Sequence, residues 1–303
     1  MPLITLLGPT ATGKTRLAAL LAAACNGEII SADSRQVYRK MNLGTGKDYN
    51  DYIVNGKQIT YYLIDIADPG YEYSVHEFQR DFHLVFQDIL SRIKQPILCG
   101  GTGLYLEAIL KGYRLPAIPE DTSLRNSLNL LSDEELCTKL SRLKSLHATT
   151  DTVNRNRLLR AIEIETWLQK NPDIKSFQPV PSIIFGINFP REIIRQHITH
   201  RLQQRLENGM IEEIQQILNS GVRPETLKAY GLEYKYITQY IIKELTYNEM
   251  FTLLNTAIHQ FAKRQMTWFR RMERNGLPIR WIDGNLPDKE KVNRILEVIS
   301  LKK

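Results

Sequence analysis

Cysteine is scarce: three residues among 303, Cys25, Cys99 and Cys137, lie far apart with no C-x-x-C pair. That excludes a readable disulfide framework and a zinc module, and each thiol reads as a buried side chain in a reducing cytosol. Long apolar runs are also missing. Leu3 to Leu7 is too short, and too soon followed by glycine, for a signal peptide. Leu17 to Cys25 falls far short of the roughly 20 residues that cross a bilayer, so a cytoplasmic chain with no membrane partner is expected. No N-K-x-D stretch is present to read guanine, which argues against a GTP-binding regulator; no segment repeats, and none is of low complexity. Acidic residues are in deficit, 33 Asp and Glu against 40 Lys and Arg, for a formal charge of +7. Such a surplus indicates a polyanionic partner if it is clustered and a solvated surface if it is not.

What is present is a folded composition, 43% hydrophobic and 24% charged, long enough for one large domain or two smaller ones. The chain is organised around Gly8, Pro9, Thr10, Ala11, Thr12, Gly13, Lys14 and Thr15. This stretch follows the apolar run Leu3 to Leu7 and opens the alanine- and leucine-rich run Arg16 to Cys25. Strand, glycine loop and helix in that order, with G-x-x-x-x-G-K-[ST] spacing, form a phosphate-binding loop. Backbone N–H groups and a helix N-terminus wrap a polyphosphate, Lys14 meets its outer oxygens and the Thr15 hydroxyl reaches Mg²⁺. A plain glycine turn would not require Lys-Thr at that offset. Kinases, ATPases, GTPases and some transferases all use this loop, so the phosphate site alone does not name an activity.

Glu28 to Ser31 reads as a strand ending at Ala32-Asp33-Ser34. In parallel α/β sheets ligands bind outside the carboxyl ends of strands, so Asp33 is expected at the same crevice as the glycine loop. Thr45-Gly46-Lys47 is either a ligand contact or a turn. Ile59 to Ile66 reads as a strand, with Asp65 either a metal-organising acid or an ordinary turn carboxylate. Ser74 to Lys94 has helical periodicity, opened by a capping box of Ser74 and Glu77. Pro96 to Cys99 is a buried strand running into Gly100-Gly101-Thr102-Gly103, where a double glycine lets backbone approach a ligand closely. Thr102 is a candidate ligand contact, an N-cap for the helix Leu104 to Lys111, or both.

Composition changes at Arg114 to Pro119, and from Leu124 to about Leu168 the pattern is wholly helical, with Val153 among its apolar positions. Pro172, Pro179 and Pro181 close this block, and Ser182 to Phe189 returns to a buried strand. The expected architecture is an α/β core of P-loop NTPase-like type, a parallel sheet flanked by helices, built from residues 1–118 and 181–303, with an all-helical insertion domain at 119–180. Glu192 to Glu207 and Ile211 to Leu218 are helices, the first loaded with Arg191, Arg195, His197, His200, Arg201 and Arg205; the histidines have no metal-ligand partners around them. Thr246 to Arg274 is the longest helical pattern. At 100° per residue Lys263, Arg264, Arg270, Arg271 and Arg274 share one arc, opposite Phe261, Trp268, Phe269 and Met272. Five cations without an acid exceed what solubility requires and favour phosphate contact. Ile279 to Ile282 closes the strands.

At this point the sequence resembles the tRNA dimethylallyltransferases, also called tRNA isopentenyltransferases, of bacterial type, along nearly its whole length. The resemblance is carried by Gly8 to Thr15, Ser31 to Arg39 continuing to Leu43 through Lys47, Gly100 to Tyr105, and Gln260 to Arg270; Asn156 to Glu163 is similar to a further family segment. It implies transfer of the dimethylallyl group of dimethylallyl diphosphate to the exocyclic N6 of the adenosine immediately 3′ of the anticodon, with Mg²⁺ near Thr15. By the same resemblance Asp33 is the catalytic base, with Lys14 and Thr102 beside it. Ser34, Arg35 and Gln36 meet the flipped base, and Arg125, Arg157, Arg160, Lys263 and Arg264 meet phosphates of the tRNA anticodon stem-loop. A monomer is the default for such a clamp. One stretch departs from the pattern: where many members have a basic residue followed by Gly-Tyr-x-Glu, this chain reads Lys228-Ala-Tyr-Gly-Leu-Glu-Tyr234. Lys228 still supplies charge to a diphosphate but lacks arginine's bidentate fork. The zinc-finger extension of some eukaryotic relatives is absent. A P-loop kinase of a small metabolite or nucleotide is the rival reading; it gives no reason for the basic stripe.

Overall fold

The computed structural model describes residues 1–115, 118, 120–143, 155–171 and 177–301. They form two compact units, Met1–Tyr113 with Gln178–Lys303, and Arg114–Phe177. The larger unit begins with β1 (Leu3–Leu7), α1 (Lys14–Cys25), β2 (Gly27–Ala32), the short β3 (Ile53–Val54), β4 (Lys57–Gln58) and β5 (Tyr61–Tyr62), α2 (Val75–Ser91), β6 (Gln95–Gly100) and α3 (Gly103–Lys111). The smaller unit holds α4 (Thr122–Asn129), α5 (Asp133–Leu143) and α6 (Arg155–Lys170). The larger unit resumes with β7 (Ser182–Asn188), α7 (Arg191–Glu207), α8 (Met210–Asn219), α9 (Pro224–Lys228), α10 (Leu232–Ile241), α11 (Tyr247–Arg274), β8 (Ile279–Asp283) and α12 (Asp288–Ser300). Pro116, Pro119, Val153 and Pro172 lie outside the described residues.

Six strands pair in the order β5-β2-β6-β1-β7-β8, every pair parallel. A parallel sheet is covered on both faces, which is why its strands read as continuous apolar runs. Alternate side chains divide between the faces. Ile4, Leu6, Ile29, Ile97 and Phe185 pack with the apolar sides of α1 and α12. Leu3, Leu7, Ile30, Leu98 and Ile184 pack with Phe78 and Phe82 of α2, Leu106 and Ile109 of α3, and Phe269 and Met272 of α11. The capping box at Ser74 and Glu77 opens α2, and a second one, Thr246 with Glu249, opens α11.

One expectation is revised here. The strand read over Ile59 to Ile66 pairs only at Tyr61–Tyr62, because Leu63 and Asp65 take φ of 61° and 56°, which no extended strand accommodates. At the end of β6 a Cβ on Gly100 would stand 2.3 Å from the Ala32 carbonyl oxygen, so glycine there lets β2 and β6 close up, and Gly100 and Gly101 both face the cavity at the strand ends.

A third apolar cluster joins Val37, Tyr38 and Met41 from the segment after β2 to Ile198 and Leu202 of α7, Ile214 of α8, Tyr234 and Ile237 of α10, and Leu254 of α11. This helical layer walls the carboxyl edge of the sheet. The smaller unit has its own core of Leu128, Leu136, Leu140, Leu158, Leu159 and Ile162.

Candidate active site

Strand register brings the chemistry together. Leu7 and Ala32 each pair with Gly100, so β1, β2 and β6 end at one level and release the glycine loop, the Asp33 turn and the Thr102 turn side by side. These three turns line a cavity of about 1020 Å³, whose other walls come from α7, α9, α10 and α11.

In the glycine loop Gly13 takes φ of 70° and Lys14 begins α1, whose first turn contains no acidic residue. The positive end of the helix is thus left for an anion. Ala11 holds φ of 62° although it is not glycine. The loop is braced internally, the Thr12 hydroxyl and the Lys14 ammonium both donating to the Pro9 carbonyl at 2.9 and 3.3 Å. Burial lowers the Lys14 pKa, Cys99 and Asp33 oppose that, and Arg201 and Arg205 add to it. An anion in the loop would reverse the shift.

Asp33 lines the cavity and accepts the Arg35 amide through Oδ1 at 2.9 Å, a turn that faces the carboxylate toward the loop crevice only because β2 ends there. Thr102 is the N-cap residue of α3, but its side chain does not cap the helix. Its hydroxyl accepts the Ser34 amide at 3.0 Å and donates to Ser34 Oγ at 3.4 Å. Gln36 is buried, donating from Nε2 to the Gly46 carbonyl at 3.1 Å and accepting from the Ser31 hydroxyl at 3.3 Å. A Gln36 so engaged supports the pocket wall before it can read a base. Arg35 and Arg264 are exposed at the cavity, and Lys228 reaches it while donating to Glu244 at 2.8 Å, which offsets its charge.

Several lining groups were not singled out for this site from the sequence. Arg201 and Arg205, one helical turn apart on α7, share the Asp48 carboxylate at 2.6 and 3.5 Å. Burial pushes the Asp48 carboxyl up, but the two guanidiniums outweigh it and hold the group below its ordinary value. Burial and the neighbouring Arg201 push the Arg205 pKa down, and its buried Nε has no hydrogen-bond partner among the described residues. Glu233, on the same wall, has its pKa raised by burial. Gln265 of α11 is 8% exposed and hydrogen-bonds the glycine loop itself. The i, i+4 spacing of the two arginines was legible; that their face turns inward was not.

Other expected residues take different places. Asp65 is not in the cavity: it pairs with buried Lys47 at 2.5 Å and accepts from Tyr49 at 2.6 Å, so it anchors a loop and the metal-organising reading fails. Arg271 leaves the basic stripe, ion-pairing with buried Glu107 at 2.8 Å and stacking 4.0 Å over the Trp268 ring. Lys263, Arg264, Arg270 and Arg274 stay exposed, and Phe261 is exposed beside Arg264 rather than packed. In the smaller unit Arg125 holds buried Glu163 in a fork of 2.7 and 3.0 Å, and Arg160 meets the same carboxylate at 3.1 Å. Both therefore neutralise a core acid, whereas Arg157 is exposed.

No group of three or more His, Cys, Asp and Glu among the described residues is arranged to hold a metal. The donor set fits a cation carried by substrate phosphates with one hydroxyl, Thr15, rather than a protein cage. No helix among the described residues is long and apolar enough to cross a membrane.

Comparison with known proteins agrees with this geometry. The family model described as IPP transferase matches residues 36–272, and that described as isopentenyl transferase matches residues 1–67. A tRNA dimethylallyltransferase 2 of Bacteroides fragilis is 57% identical over 96% of this chain and 95% of its own, and a tRNA dimethylallyltransferase 1 of Parabacteroides distasonis is 54% identical over 98% and 97%. The crystal structure of full-length tRNA isopentenylpyrophosphate transferase from Bacillus halodurans superposes with a TM-score of 0.73 at 31% identity, covering 99% of this chain and 96% of that one. The six-stranded parallel sheet, the glycine loop and these relatives place the chain in the IPP transferase family, the tRNA dimethylallyltransferases.

Proposed function

We propose that the protein transfers the dimethylallyl group of dimethylallyl diphosphate to N6 of the adenosine immediately 3′ of the anticodon of tRNA, releasing diphosphate. The observation that carries this reading is the common level at which β1, β2 and β6 end, which sets Lys14, Asp33 and Thr102 around one cavity. The C–O bond to the diphosphate breaks as the N6–C bond forms, and the N6 proton passes to the Asp33 carboxylate. An adenine amino group is a poor nucleophile because its lone pair is delocalised, so removal of that proton is needed as the bond forms. Negative charge gathers on the leaving diphosphate. The amides of the loop, Lys14 and, across the cavity, Arg201 and Arg205 stabilise it. Mg²⁺ held by Thr15 and the substrate would supply further charge neutralisation.

Thr102 and Ser34 hold the Asp33 turn, while Arg35, Gln36 and Arg264 frame the opening where a base extruded from the single-stranded loop would enter. Lys263, with the exposed Arg157 of the helical unit, is the expected phosphate contact. Incubation with dimethylallyl diphosphate, Mg²⁺ and unmodified tRNA should yield N6-prenylated adenosine. Phosphoryl transfer from ATP to a small metabolite, without prenylated adenosine, would overturn the proposal.

A further inference from the structure

We propose that Gln265 is a positioning residue that sets the diphosphate affinity of the glycine loop, an inference that rests on the reading of the cavity as a diphosphate site. Its Oε1 accepts the Thr10 amide at 2.8 Å and its Nε2 donates to the Gly101 carbonyl at 2.9 Å. A single side chain from α11 thereby ties together the two turns that bracket Lys14, one 255 residues away along the chain and the other 164. The sites it fills demand one acceptor and one donor on a planar group at this reach, which glutamine alone among uncharged long side chains supplies.

Two features make the contact more than generic packing. Thr10 directly precedes Ala11, whose left-handed conformation, φ 62°, is unfavourable for a residue with a Cβ and persists only where neighbours hold it. In loops of this type the amides after that bend ring the anion, so a restraint on the Thr10 amide is a restraint on the ring. On the other side, a Cβ on Gly101 would stand 2.5 Å from Gln265 Nε2. The absence of a side chain at Gly101 is what lets the amide reach the carbonyl. The bond pair also leaves the buried amide satisfied, so the contact carries no net desolvation penalty.

The test is calorimetric titration of inorganic diphosphate with Mg²⁺ into the full chain, alongside tRNA binding. Gln265→Met keeps the length and removes both bonds. Gly101→Ala displaces Gln265 from the other side and serves as the second variant should the first not fold. Each is expected to weaken diphosphate binding about tenfold while tRNA affinity stays within about twofold. Gln265→Glu retains the acceptor and should bind diphosphate less weakly as the pH falls and its carboxyl takes up the missing proton. Diphosphate affinity unchanged in Gln265→Met and Gly101→Ala, or tRNA affinity falling in parallel with it, would overturn the inference. Failure of the wild-type protein itself to bind inorganic diphosphate would instead overturn the assignment of the cavity, and this inference with it.

Discussion

The Thr102 hydroxyl accepts the Ser34 amide at 3.0 Å, joining the end of β6 to the turn that carries Asp33. The bond spans 68 residues and fixes the carboxylate relative to the glycine loop. Thr102→Val keeps the side-chain shape and removes the acceptor. Steady-state kcat should fall by about 10- to 100-fold with the KM for both substrates little changed, because misplacement of the base affects the chemical step. Thr102→Ser should stay within a few-fold of wild type. A valine variant of full activity would remove Thr102 from the positioning of Asp33.

Asp33→Asn separates the turn from the chemistry. The amide oxygen still accepts the Arg35 N–H, so the local fold and tRNA affinity persist, whereas the proton acceptor is gone. Single-turnover prenylation should slow by about 10²- to 10⁴-fold with tRNA affinity by filter binding unaltered. Near-normal turnover would eliminate Asp33 as the base.

Lys14 gives the site a pH dependence of defined sign. Burial lowers its pKa, so the ammonium is lost at a lower pH than that of an exposed lysine. The KM for dimethylallyl diphosphate should therefore begin to rise at a pH below the range in which an ordinary lysine titrates, and binding on that limb should take up a proton, measurable in buffers of differing ionisation enthalpy. The stability effect in the free protein has the same origin: charged Lys14 disfavours the fold below its folded pKa, and stability rises as pH climbs from there toward the ordinary lysine value. Lys14→Arg, with a cation that does not titrate here, should flatten the alkaline limb of KM. Persistence of the limb in that variant would assign it elsewhere.

The basic stripe on α11 divides into two kinds of cation. Replacing Lys263 and Arg264 with alanine should weaken tRNA binding and lower the slope of log K against log salt by about 1.5, as expected for two lost phosphate contacts. Arg271→Ala should leave that slope unchanged and lower the melting temperature, because buried Glu107 loses its 2.8 Å guanidinium partner and is left with the Tyr113 hydroxyl and the more distant Lys111 at 3.8 Å. The partly exposed pair is screened, so the loss is about 1–3 kcal/mol. Equal salt slopes for wild type and the Lys263, Arg264 double variant would make the stripe a solvated face.

Local signals were legible where local physics decides. Strand, glycine loop and helix at Leu3 to Cys25, the capping box at Ser74 and Glu77, and the strand ends at Ala32 and Gly100 follow from hydrophobic period, capping and turn chemistry within a few residues. The strand expected over Ile59 to Ile66 failed because Asp65 is turned by its distant partner Lys47, whose buried ammonium outweighs strand propensity. Likewise, a helical arc could count the cations of α11 but not show that Arg271 is committed to Glu107 on α3.

By itself the sequence determined the anion loop, the helices and strands that carry it, and the crevice at which Asp33 must stand, because each depends on contacts a few residues apart or on the rule that parallel strands present their carboxyl ends together. Only the tertiary structure decided which charges line the cavity and which are committed elsewhere in the protein. Arg201 and Arg205 turn toward the loop, Arg125 and Arg160 turn toward Glu163, and Gln265 crosses the chain to Thr10. A side chain's partner across hundreds of residues is set by packing of whole helices, for which no short stretch of sequence contains the information.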